Sequence, residues 1–169
     1  MTPAELELLD DDLRRLERQH ALLRLPSFGA EEAWALGCRL REASGAAGHA
    51  MVIEVRLARR TVFYSSMPGS TAVNEDWARR KRNTAELFEQ SSYRVGRGLL
   101  KEGTTLEAQM AARPSDFAAH GGAVPILLRD GTCVGCATVS GIPQRADHAL
   151  VVAALAEACG VALEDVALR

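Results

Sequence analysis

Leu6, Leu9, Leu13, Leu16, His20 and Leu23 alternate spacings of three and four along the first segment, the stripe of an amphipathic helix. Thr2 suits the N-cap, Pro3 the first helical position and Glu5 the third position of a capping box. A helix is therefore predicted over residues 1–25, ending before Pro26, with its stripe as a candidate contact between subunits. Ala33, Leu36, Gly37 and Leu40 share a face and place a second helix over Glu31 to Ala43. Met51 to Leu57 and Thr61 to Ser66 are rich in β-branched and aromatic residues around Arg59-Arg60, the pattern of a hairpin.

Asn74, followed by Glu75 and Asp76, is the expected N-cap of a third helix reaching about Gln90. Short helices are expected within Ser91 to Thr105 and Leu106 to Ala112. From Gly121 to Gly141 the pattern is strand-like again, broken at Asp130-Gly131, a favoured two-residue turn. That turn sets Arg129 opposite Thr132, Val124 opposite Ala137 and Gly121 opposite Ser140. Ala146 to Cys159 then reads as a helix of small residues. Two hairpins with helices before, between and after them predict an α+β domain spanning 1–169, a central antiparallel sheet covered by helices.

Composition narrows the partners. A chain of 169 residues with 47% hydrophobic residues can bury its own core, and a formal charge of −2 gives no field for nucleic acid. No stretch approaches the roughly 18 apolar residues of a membrane span, and the acidic start lacks a signal-peptide run. A cytoplasmic protein without nucleic-acid or membrane partners is expected, with Cys38, Cys133, Cys136 and Cys159 as free thiols. The C-x-x-C at Cys133 to Cys136 falls in a strand, where alternation points the two thiols to opposite faces, unlike a redox motif at a helix N-terminus.

The chemistry collects at the open end of the second hairpin. His120 precedes Gly121 and Gly122, which let a ligand or another backbone come close. Ser140 and Gly141 precede the last helix, whose N-terminal end favours an anion, and Asp147 and His148 lie in its first turns. A histidine there is held neutral and can bind a metal, accept a proton or make a hydrogen bond. Trp77, Lys81, Thr84 and Phe88 follow helical spacing, so Lys81 falls on an inward stripe, either snorkelling to solvent or facing an anion in a pocket wall. Arg79, Arg80 and Arg82 pair with carboxylates at i,i+4 and form a solvated face. No phosphate-binding loop, dinucleotide fingerprint, nucleophile elbow or zinc spacing is present.

The runs WARRKRNTAELFEQSSY (77–93), AHGGAVPI (119–126) and GCATVSGIPQRADHALVVAAL (135–155) resemble a cytosolic subgroup of the GlcG/HbpS-like superfamily, often named for haem degradation. HGGAxPI and VSGxPxxxDH, in that order, carry the likeness, which extends from the first helix nearly to the C-terminus. The resemblance implies a profilin-like or PAS-like fold, homo-oligomers of dimers or larger, and a tie to haem or a related tetrapyrrole, with His120 and His148 as candidate axial ligands. The expected function is small-molecule binding by His120, Gly121, Gly122, Ser140, Gly141, Asp147, His148 and Lys81. The alternatives are an enzyme acting on a small anionic metabolite through a histidine general base, or an assembly module without a ligand.

Overall fold

A computed structural model describes residues 2–169; Met1, at the start of the 1–25 segment expected to hold the first helix, lies outside the described residues. Among the described residues the order is α1 (Pro3–Leu22), β1 (Arg24–Leu25), α2 (Ala30–Ala46), β2 (Val52–Leu57), β3 (Arg60–Ser66), α3 (Ala72–Phe88), α4 (Ser92–Glu102), α5 (Leu106–Met110), β4 (Ala123–Leu128), β5 (Cys133–Ser140), α6 (Gln144–Cys159) and α7 (Leu163–Val166). The five strands form one sheet in the order β1-β4-β5-β2-β3, antiparallel except where the short β1 runs parallel to β4. The expected α+β architecture is present. β1 was not expected, because two residues carry no periodicity.

One face of the sheet is apolar and the other is laced with charge. Ile53, Val55, Val124, Ile126, Ala137 and Val139 pack with Leu36 and Leu40 of α2 and Val151, Val152 and Leu155 of α6 into the main core. On the opposite face α3 meets Glu54, Arg56, Cys136 and Thr138. Arg82 reaches Glu54 at 2.7 Å and Arg56 reaches Glu86 at 2.9 Å, while Ala85 packs between Ala123 and Cys136. Small residues there let α3 approach the strands closely, and the long charged side chains bridge its rim.

The second hairpin closes differently from the two-residue expectation. Gly131, at φ 92°, donates its N–H to Leu128 O, and Leu128 N–H bonds Thr132 O, both at 2.9 Å. The tip is therefore a three-residue loop, Arg129 to Gly131, and Leu128 rather than Arg129 faces Thr132. A bulge at Val134 then restores the register: Leu127 pairs with Cys133, Ile126 with Gly135 and Val124 with Ala137 as predicted. The same bulge reverses the expected separation of the thiols. Cys133 and Cys136 both lie on the α3 side, facing the Glu86 charge. Burial, reinforced by that carboxylate, raises both, Cys136 to about 12, so neither is a thiolate nucleophile.

α1 keeps its predicted capping box, Thr2 accepting from Glu5 N–H and Glu5 from Thr2 N–H. Its buried positions, however, are Leu9, Asp12, Leu16 and Gln19, with Leu23 at its C-cap, rotated from the expected stripe through Leu6, Leu13 and His20. Asp12 and Gln19 tolerate the interior because both are paired. Asp12 takes two hydrogen bonds from Arg145 of α6, at 2.7 and 2.9 Å, and lies 3.3 Å from Arg97 of α4. Leu6, Leu8 and Leu22 remain exposed on the outer side. Thr71, not Asn74, caps α3; Asn74 occupies the third position and returns the bond to Thr71 N–H.

Replacing Asp12 with alanine leaves the two arginines facing an empty acceptor at the joint of α1, α4 and α6. An expected loss of about 2–3 kcal/mol follows, read as a lower urea midpoint with the m-value unchanged.

Candidate ligand cleft

The open end of the second hairpin gathers four segments. Val139 N–H donates to Gly122 O at 2.7 Å, and Gly121 N–H to the Gln144 side-chain oxygen at 3.2 Å, so residues 119–122 lie against the start of α6. Glycines make this fit. A Cβ at Gly121 would stand 2.0 Å from Gln144 O, and one at Gly122, where φ is +127°, 2.5 Å from Val139 O and 2.9 Å from Lys81 Nζ. The close approach expected at Gly121-Gly122 is thus taken by the protein's own backbone and by a lysine.

Lys81 reaches through that gap. Its Nζ lies 2.6 Å from Asp147 Oδ2 and 3.4 Å from both Val139 O and Ser140 Oγ. Asp147 Oδ1 accepts Ile142 N–H at 3.2 Å, so this carboxylate also closes the turn into α6. The side chains of Lys81 and Asp147 are only 4% and 1% exposed. Burial pushes the lysine below its ordinary range and the aspartate above its own, each opposed by the partner's charge. Lys81 neither snorkels nor presents a free charge to an anion: Asp147 neutralises it.

Trp77, one turn before Lys81, forms the wall. Its ring meets His120 edge to face, centroids 4.9 Å apart, and carries the Arg80 guanidinium 4.0 Å from its centroid. Burial against Trp77, with Lys81 and Arg80 adding positive charge nearby, holds His120 below the usual histidine range, a neutral imidazole at pH 7. Two clefts share this wall. One, of about 280 Å³, is the more polar of the two and is lined by Asn74, Trp77, Lys81, His120, Ser140, Gly141 and Asp147 among others. The second, of about 430 Å³, is largely apolar, with Leu99, Leu106, Ala112 and Phe117 beside Trp77 and His120.

His148 is elsewhere. Its ring is fully buried and stacked on Tyr93, centroids 5.1 Å apart, and Nε2 lies 2.8 Å from the Gln19 side-chain oxygen. Gln19 in turn donates to Val166 O at 2.6 Å. The two histidine segments meet as expected, but consecutive residues of α6 point apart: Asp147 into the polar cleft, His148 toward α1. Burial, with Arg145 adding to it, lowers His148 to about 3, so it serves as a neutral interior side chain rather than a cleft residue. Trp77 is the wall residue that site reasoning passed over; its i,i+4 spacing to Lys81 was the available signal. No cluster of three or more metal-ligating side chains occurs among the described residues.

Fold and cleft together define a profilin-like α+β domain with a cleft of ligand size where α6 leaves the sheet. Residues 28–156 match the family described as haem degrading protein HbpS-like, and the chain belongs to that family. A UPF0303 protein of Azotobacter vinelandii is 48% identical over 160 residues, covering 95% of this chain and 96% of that protein. The crystal structure of the Ybr137w protein superposes with a TM-score of 0.78 at 31% identity, over 86% of this chain and 87% of that one. A haem complex of PduOC shares the fold, with a TM-score of 0.64 at 21% identity over 79% of this chain and 94% of that one.

The buried neutral histidine makes stability depend on pH. Its folded value, about 3, lies below the ordinary 6.5, so the unfolded chain binds the extra proton between them. That contribution is complete above about pH 6.5 and declines as pH falls toward 3, at up to about 1.4 kcal/mol per pH unit. Urea midpoints measured from pH 7 to 4 should fall, and His148→Gln should flatten the slope.

Proposed function

We propose that this protein binds a small molecule against the Trp77–His120 wall, and that haem or a related tetrapyrrole is the leading ligand. The observation that carries the reading is a neutral imidazole exposed at the edge of an apolar cleft of about 430 Å³, a volume within the roughly 300–1,000 Å³ of small-molecule pockets. Leu99, Leu106 and Phe117 would take an apolar ring edge, His120 would offer a ring nitrogen to the iron, and Arg80 would lie near acidic substituents. Membership of a family described by haem degradation supports the choice, as does the haem complex of a protein sharing the fold. His148, sealed behind Tyr93, takes no part in this reading.

An anionic metabolite is less well served, because the one lysine of the polar cleft is already matched by Asp147. The proposal extends to a homo-oligomer acting in the cytoplasm. With the inner stripe of α1 spent on its own subunit, the exposed Leu6, Leu8 and Leu22 are its candidate contacts. No described helix is long and apolar enough to cross a membrane.

Titrating the purified protein with haemin tests the reading. A saturable Soret change is expected, weakened by about tenfold or more in His120→Ala and unaffected by His49→Ala, which removes a histidine outside the clefts. An absent Soret change, or one indifferent to His120, overturns it.

A further inference from the structure

The polar cleft contains a second chemistry, independent of haem. The geometry points to Lys81 as a nucleophile that captures a small neutral aldehyde or ketone as an imine, with Asp147 moving the proton. The chain favours arginine heavily: of its 20 basic residues only Lys81 and Lys101 are lysines. Arginine's planar fork is the better partner for a buried carboxylate, yet it cannot give up its proton. Among the described residues the one lysine or arginine that is buried is nevertheless of the type that can become a neutral amine.

Position supports the same role. The amine lies at the wall of a cleft of about 280 Å³, room for roughly nine waters or a compound of a few carbons. Asp147, at 2.6 Å, is within hydrogen-bond reach of the ammonium, and Ser140 Oγ, at 3.4 Å, stands beside it. Burial shifts each partner toward its neutral form, against the pull of the other's charge.

The step balances without an oxidant or reductant. The Lys81 ammonium passes one proton to Asp147, and the freed amine attacks the carbonyl carbon. A C–N bond forms as the carbonyl π pair moves to oxygen, which takes a proton from the nitrogen. Asp147 then protonates the resulting hydroxyl, which leaves as water. The iminium keeps the positive charge the lysine brought, and Asp147 is again a carboxylate. The substrate class follows from the lining. Asp147 matches the lysine's charge and Arg80 is engaged by Asp76 and Trp77, so a carboxylate gains little. Asn74, Gln144 and Ser140 offer hydrogen bonds to a hydroxyl instead, as in a short hydroxyaldehyde.

Treating the intact folded protein with glycolaldehyde and cyanoborohydride, then mapping peptides, tests this within one chain. Lys81 should gain a hydroxyethyl group at least about tenfold faster than Lys101, although Lys101 is 51% exposed. A Lys81 rate at or below that of Lys101 overturns the proposal, with no variant needed. Asp147→Asn, if its far-ultraviolet circular dichroism matches the parent, should bring Lys81 down to the Lys101 rate; an unchanged rate removes Asp147 from the mechanism. No haem enters the assay, so its outcome is separate from that of the Soret titration.

Discussion

A lysine and an aspartate removed from water hold the cleft end of this molecule together. Each ion costs several kcal/mol to desolvate, and attraction in the interior offsets that only when the remaining hydrogen-bonding capacity is filled. Here it is filled. Lys81 is surrounded by the oxygens of Asp147, Ser140 and Val139, and Asp147 is shared between the lysine and the Ile142 N–H. The pair ties α3 to α6 across the end of β5, and at Gly122 a φ of +127° and the Val139 carbonyl exclude a side chain beside the lysine nitrogen. The position of the Trp77–His120 wall follows, since Trp77 is one turn from the anchored lysine.

A second polar assembly on the far side of α6 fixes the first helix. Asp12 binds Arg145 and Arg97, while Gln19 bridges His148 and the Val166 carbonyl. Apolar contact alone would let α1 slide along its groove. Directional bonds at two points seven residues apart in the helix specify one register. α6 is therefore gripped on both sides by its own consecutive residues, Asp147 toward the cleft and His148 toward α1.

The architecture was legible where periodicity ran long: the two hairpins, α1, α2, α3 and α6 all fall near their expected spans. The site was legible as a place rather than a contact list. Val124 opposite Ala137 brought His120 to the start of α6; Asp147 and His148, consecutive on a helix and so about 100° apart around its axis, cannot both face the cleft, and which of them does is set by the elements packed on either side of α6. Asp12 and Gln19 escaped notice since polarity marked them as outward, and their interior position rests on partners more than 80 residues away in Arg97, Arg145 and Val166. The thiols were misplaced for a comparable reason: one bulge at Val134 rotates the strand, and no residue pattern announced it.

That bulge has a consequence for how the hairpin tolerates change. Loop tips accept insertions and substitutions far more readily than strands do, and an altered tip ordinarily hands its error down the ladder to every pair beyond. Here Val134 absorbs the one-residue offset of Arg129 to Gly131 within two pairs of the tip. Beyond it the strands keep their alignment, so the one-residue excess at the tip is not passed on to the spacing at the cleft end of the hairpin.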